Sequence, residues 1–201
     1  MSLIDETSDT RERLMQAAIQ QFGARGFGST TLRDIAGEAG IKAPSVYNHF
    51  SSKEELLIAA TTWGLEVFQR NVLRGDDPAA PPLHRLEQIV RRHVLFQLDH
   101  VEIAQANDLL LEAAALQGIM PSETVDDLRR RMRGHLDLVT GILESLGAAR
   151  PLAGAPNPRI TSLAIISLCD RVVTWYRPQG EFSPDEVANA YWFLVCGMLR
   201  L

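Results

Sequence analysis

Apolar residues recur at intervals of three and four along almost the whole chain, and no stretch sustains the alternation of period two that a strand requires. The pattern predicts an all-α protein of about nine helices. The first runs over about Thr10 to Arg25 with Leu14, Ala17, Ala18 and Phe22 on one face. Gly26 then suits the left-handed position at its end and Phe27 can fold back on Phe22, as in a Schellman motif. Thr31 followed by Asp34 predicts a capping box opening a second helix, with Ile35, Ala36 and Ala39 facing inward and Gly40 ending it. A third helix follows after a tight turn, with Pro44 in its first turn, where a missing N–H is harmless, and Val46 and Phe50 as its narrow buried edge.

Ser52 with Glu55 predicts a second capping box and a long fourth helix towards Arg74. The prolines of "GDDPAAPPL", Gly75 to Leu83, break the chain most strongly. Further helices are expected at about 83–99, 101–117, 122–147, 159–177 and 184–200. The division that follows is an N-terminal domain over 9–55 with two short helices in 31–50, a connecting fourth helix over 56–74, and a C-terminal domain over 75–201.

Composition removes several function classes. The longest apolar runs fall well short of the roughly 18 residues of a spanning helix, and the N-terminus is acidic where a secretory signal is basic, so a cytoplasmic protein without membrane contact is expected. Cys169 and Cys196 have no metal-type spacing and read as reduced thiols. His84, His93, His100 and His135 show no paired spacing of a zinc site, and no serine, cysteine or paired carboxylate accompanies His49 in a catalytic arrangement. No metal, cofactor or catalytic residue is expected. The net charge is −5, yet between Arg11 and Lys53 six basic residues (Arg11, Arg13, Arg25, Arg33, Lys42, Lys53) face three acidic ones (Glu12, Asp34, Glu38). That polarity suits one end turned towards phosphate.

Two short helices joined at a glycine turn, the second with polar residues on its outer face, have the layout of a helix-turn-helix. Ala43 and Pro44 are small enough for close approach to base edges, Ser45 and Asn48 can hydrogen-bond to bases, and Tyr47 and His49 can reach phosphates. The run Thr30 to Leu57 carries Thr31, Ile35-Ala36, Ala39-Gly40-Ile41, Tyr47, His49-Phe50, Lys53-Glu54 and Leu56, and in this it resembles the DNA-binding region of the tetracycline-repressor (TetR) family of bacterial regulators. The resemblance implies phosphate contacts from Thr31, Tyr47, His49 and Lys53, and base contacts or close approach from Arg33, Ala43, Pro44, Ser45 and Asn48. Many members carry a capping serine or threonine where this chain has Lys42, whose side chain cannot accept the free N–H groups of a helix start; a phosphate contact is its expected role.

The same resemblance implies a double-stranded DNA operator, a homodimer and a small-molecule effector as partners. Helix-turn-helix dimers read half-sites about 34–36 Å apart. The two strongly apolar last helices supply the expected interface through Leu163, Ile166, Cys169, Val173, Val187, Tyr191, Leu194 and Met198. Val90, Val94, Leu98, Leu109, Leu110, Met120, Leu136, Val139 and Leu143 are candidates for an effector pocket, and serve equally as an ordinary core. Trp175-Tyr176-Arg177-Pro178 with Gly180, Phe182, Ser183 and Pro184 resembles members that control fatty-acid or sterol breakdown and respond to acyl-CoA thioesters, which implies an apolar or CoA-linked ligand. The expected function is a ligand-responsive repressor on a near-palindromic operator. An all-α enzyme or binding protein with a vestigial helix-turn-helix is the alternative.

Overall fold

The structure is a computed structural model and describes residues 10–149 and 157–200. Nine α-helices and one 3₁₀ turn occur among the described residues, and no strand does. Two compact units form. One is built from residues 10–67 and 102–128, the other from 68–101 and 129–200. The linear division expected at residues 55 and 75 therefore does not anticipate that a later helix joins the N-terminal unit.

In the first unit, α1 (Thr10–Arg25) buries Leu14, Ile19 and Phe22 along one face. Gly26 takes φ 77° and its N–H donates to the Phe22 carbonyl at 2.8 Å, a single bond of the αL motif where the fuller Schellman pair was expected. Phe27 still packs on Phe22, with ring centroids 5.3 Å apart. The Schellman pair instead ends α2 (Leu32–Glu38): Gly40, at φ 67°, donates to Gly37 and Ile41 donates to Ala36. Arg13 adds a side-chain bond to the Ala39 carbonyl at the same helix end.

The start of α2 is the expected capping box. Asp34 N–H donates to the Thr31 hydroxyl at 3.2 Å, and the Thr31 N–H donates to the Asp34 carboxylate at 2.9 Å. Hydrogen bonds from the Thr31 hydroxyl, then from its backbone, hold the Asp34 carboxyl below its usual range. At α4 (Lys53–Val72) the box is offset by one residue: Ser52 Oγ accepts from Glu55 N–H at 3.0 Å, but the Glu55 carboxylate accepts from Ser51 N–H at 2.7 Å.

The helix α3 (Ala43–Val46) is only one α-turn long. It continues to Phe50 through three-residue bonds, Asn48 to Ser45 and His49 to Val46, and only Phe50 N–H to the Val46 carbonyl, at 3.0 Å, regains α-helical spacing. α6 (Val101–Leu116) completes the main helices of this unit, and α7 (Ser122–Ala149) begins in it.

The second unit contains α5 (Pro82–Asp99), most of α7, α8 (Pro158–Asp170) and α9 (Pro184–Leu199). Leu86, Ile89, Val94, Val139, Ile142, Ile165 and Val195 are buried there. The expected helix to residue 177 stops at Asp170 and tightens into a 3₁₀ turn over Arg171–Thr174. Val172, Val173 and Thr174 are β-branched in succession, which weakens an α-helix, and the Thr174 hydroxyl donates back to the Arg171 carbonyl at 2.7 Å. Ser183 and Glu186 form a complete capping box at the start of α9. No described helix is long and apolar enough to cross a membrane.

Candidate functional site

Within the first unit the α2–turn–α3 arrangement separates two kinds of surface. Val46 and Phe50 are fully buried, and the Arg11 guanidinium lies 5.0 Å from the centre of the Phe50 ring. Facing outward are Tyr47, 64% exposed, with Lys42, Pro44 and Asn48; Ala43, Ser45 and His49 are half-buried beside them, and Arg33 is exposed on α2. A large aromatic left that open has no folding role to explain it. Lys42 provides no cap to α3, as the sequence anticipated.

Two of the expected phosphate contacts have structural duties. The Thr31 hydroxyl is taken up in the capping box, where it also donates to Asp34 at 2.5 Å. The Lys53 ammonium donates to the carbonyls of Phe27 and Thr30, at 2.9 and 3.0 Å, and stands 4.2 Å above the Phe27 ring. It ties the start of α4 to the loop that precedes the helix-turn-helix, and one of its three donors remains for a phosphate. Lys53→Ala is therefore expected to lower stability by about 1.5–3 kcal/mol, the range for a lost charged hydrogen bond. Chemical denaturation checks this; an unchanged midpoint would leave Lys53 as a surface charge only.

The expected interface residues divide. Leu163, Leu194 and Met198 are exposed and Ile166 and Val173 half-buried, while Cys169, Val187 and Tyr191 lie inside the chain's own core. A walk in steps of three drifts about 60° around a helix at each step, so the line from Leu163 through Ile166 to Cys169 turns from the outer face to the inner one. Tyr191 Oη accepts from Trp175 Nε1 at 3.0 Å with the two rings stacked, and the Cys169 thiol is pushed up by burial. The sequence reading missed Ile160, 64% exposed, and Phe193, 77% exposed. Their signal was available: large apolar residues at positions where a lone surface helix carries polar ones.

Of the pocket candidates, Val90, Val94, Leu98, Leu136, Val139 and Leu143 belong to the second unit, and Leu110 and Met120 to the first. The Leu109 side chain lies outside the described residues.

The histidines that looked scattered are partly gathered. His93 on α5 and His135 on α7 are buried, with ring centroids 5.2 Å apart and Phe68 at 5.1 Å from His93 and 5.2 Å from His135. His93 Nε2 and Gln97 Nε2 both donate to Asp170 Oδ1, at 2.9 and 2.8 Å. The 3.1 Å between these two nitrogens is thus two donors meeting at one acceptor. His93 and Gln97 sit four apart on α5, a same-face spacing the sequence offered but only for one half of the cluster. Among the described residues no group of three metal-ligating side chains forms.

Burial, then the neighbouring His93, lowers the pKa of His135 to about 3, with Asp170 pulling weakly the other way. Unfolding restores the ordinary value near 6.5. Between those values the unfolded chain binds the extra proton, so this group's effect is to lower stability as pH falls from about 6.5. Thermal melts from pH 7.5 to 4.5 should show a fall that is smaller in His135→Phe; parallel curves would remove His135 as its source.

Comparison with known proteins places both parts of the sequence in one family. The profile of the bacterial regulatory proteins of the tetR family matches residues 14–60, and that of the tetracyclin repressor-like C-terminal domain matches 79–199. The HTH-type transcriptional repressor KstR2 of Mycobacterium tuberculosis is 29% identical, over 96% of this chain and 94% of its own length. KstR2 of Mycolicibacterium smegmatis is 28% identical, over 96% and 91%. The solved structure of the M. tuberculosis ketosteroid regulator KstR2 superposes with TM-score 0.79 at 25% identity over 95% of each chain. AibR, solved with isovaleryl coenzyme A and operator DNA, shares the fold with TM-score 0.75 at 19% identity, over 92% of this chain and 97% of its own. With both of its helical parts matched, the chain belongs to the TetR family of bacterial transcription regulators.

Proposed function

We propose that this chain is a cytoplasmic, ligand-responsive transcriptional repressor that binds a near-palindromic operator as a homodimer and is released by a small apolar or acyl-CoA-like effector. The observation that carries DNA binding is the outer face of α3, where Tyr47, Lys42, Pro44 and Asn48 are exposed beside a fully buried Val46–Phe50 edge. Arg33, Ala43, Ser45 and His49 complete the contact set, with Thr31 and Lys53 meeting phosphate through whatever hydrogen-bonding capacity their structural bonds leave.

Dimerisation is supported by the outward apolar stripes of α8 and α9, Ile160 with Leu163 and Phe193 with Leu194 and Met198. The effector class is supported by the Trp175–Pro184 segment and by AibR, a protein of the same fold solved with isovaleryl coenzyme A. Effector binding relieves repression when the ligand prefers a conformation that DNA does not. Fragments of the host genome retained by the purified protein and then eluted by octanoyl-CoA test the reading. Saturable retention of a few near-palindromic sites is expected; indiscriminate retention would contradict it.

A further inference from the structure

Gln97 and His135 each keep one buried polar atom with no hydrogen-bond partner among the described residues, Gln97 Oε1 and His135 Nε2. Both side chains are more than nine-tenths buried. The orientation of the Gln97 amide is set by Asp170: reversing it would turn its carbonyl against the carboxylate, so Oε1 is held pointing away as an acceptor that needs a donor. Buried polar atoms of this kind are few in folded proteins, and two on side chains that both adjoin His93, at 3.1 Å for Gln97 Nε2 and 5.2 Å between ring centroids for His135, ask for a common explanation.

The surroundings describe what fits. Phe68 places its ring edge-on to Phe96 at 5.2 Å and against both histidines, yet remains half-buried, so apolar surface stays open beside the histidines. Positive charge is unwelcome here. Asp170 is already shared by two donors, and His135 itself is held neutral by its burial.

We propose that Gln97 and His135 form the polar end of the effector site, which takes a largely apolar ligand without positive charge that presents an O–H or N–H donor there. Gln97 Oε1 accepts from that donor, and His135 Nε2 bonds to the same polar end of the ligand. This rests on the ligand-responsive reading given above and adds the chemistry that selects the ligand. Two sources supply it: a hydroxyl on an acyl chain or ring, and the amide N–H of the pantetheine arm of an acyl-CoA.

Calorimetric titration of the full chain with octanoyl-CoA, 3-hydroxyoctanoate and octanoate tests it, since octanoate can only accept. A donor-bearing probe is expected to bind at least tenfold more tightly than octanoate, and which one does so identifies the source. His135→Phe and Gln97→Met should each weaken that probe at least tenfold. Their octanoate affinity and their operator affinity without ligand should stay within about twofold of the parent. Two variants are used so that one which fails to fold leaves the other to decide.

If a probe binds and releases operator equally from the parent and both variants, the assignment of Gln97 and His135 is wrong and the ligand-responsive reading stands. If octanoate binds as tightly as the others, the donor requirement is wrong. If none of the three binds or releases operator, the reading and the assignment fall together.

Discussion

Phe50→Ala is expected to destabilise the first unit by about 3–5 kcal/mol and to abolish operator binding at growth temperature. The ring is fully buried and anchors the segment that the Phe50 backbone N–H closes onto the Val46 carbonyl. A helix with a single α-turn has almost no intrinsic stability, so α3 exists because Val46 and Phe50 anchor it. Against a typical domain stability of about 5–15 kcal/mol, removal of the larger anchor leaves the recognition segment folded only part of the time. Urea unfolding followed by circular dichroism measures the loss. A change below about 1 kcal/mol would mean that the segment is held by something other than these two side chains.

The double change Phe193→Asp with Leu194→Asp should act in the opposite manner, leaving the fold almost untouched and separating the subunits. Both side chains are exposed in the single chain, so charge there costs little until a partner covers it. In a dimer the same charges are buried without counter-charges, and the interface should fail. The monomer would then read one half-site at a time, and operator affinity should fall by roughly a hundredfold or more. Sedimentation velocity reads the mass and anisotropy the affinity. Dimers of full operator affinity in this variant would place the interface elsewhere. Val195→Asp, at a fully buried position one residue along, should unfold the unit instead.

Much of the fold was legible because helix ends are written locally. Gly26 and Gly40 sit at positive φ where expected, and Thr31 and Asp34 form their box, because each of these signals is complete within a few residues. What failed was decided by neighbours at longer range or by competition between equals. Ser51 and Ser52 offer the same hydroxyl, and the sequence does not say which one Glu55 will take. Lys53 reads as a phosphate ligand, and its second duty, to the Phe27 and Thr30 carbonyls far back in the chain, leaves no mark in the spacing.

The candidate sites divide along the same line. The outer face of α3 was readable, since four residues of periodicity settle that Val46 and Phe50 face in while Tyr47 and Asn48 face out. The outward apolar stripe of α8 and α9 was half readable, because a longer helix lets a step of three drift from surface to core, as it does between Leu163 and Cys169. The His93–Gln97–His135–Asp170 cluster was readable only within α5, where His93 and Gln97 stand four apart. It joins three helices, and nothing in the spacing along the chain brings them together.

Fluorescence anisotropy of the chain's own upstream DNA, with wild type and Tyr47→Ala compared over a range of salt, tests most directly whether the α3 face binds DNA. Tyr47 is exposed and makes no contribution to the core, so its removal isolates recognition from folding. Saturable wild-type binding that weakens with salt is predicted, together with at least a tenfold loss in Tyr47→Ala at unchanged melting temperature. Equal affinity of the two proteins for that DNA would contradict the assignment of this face.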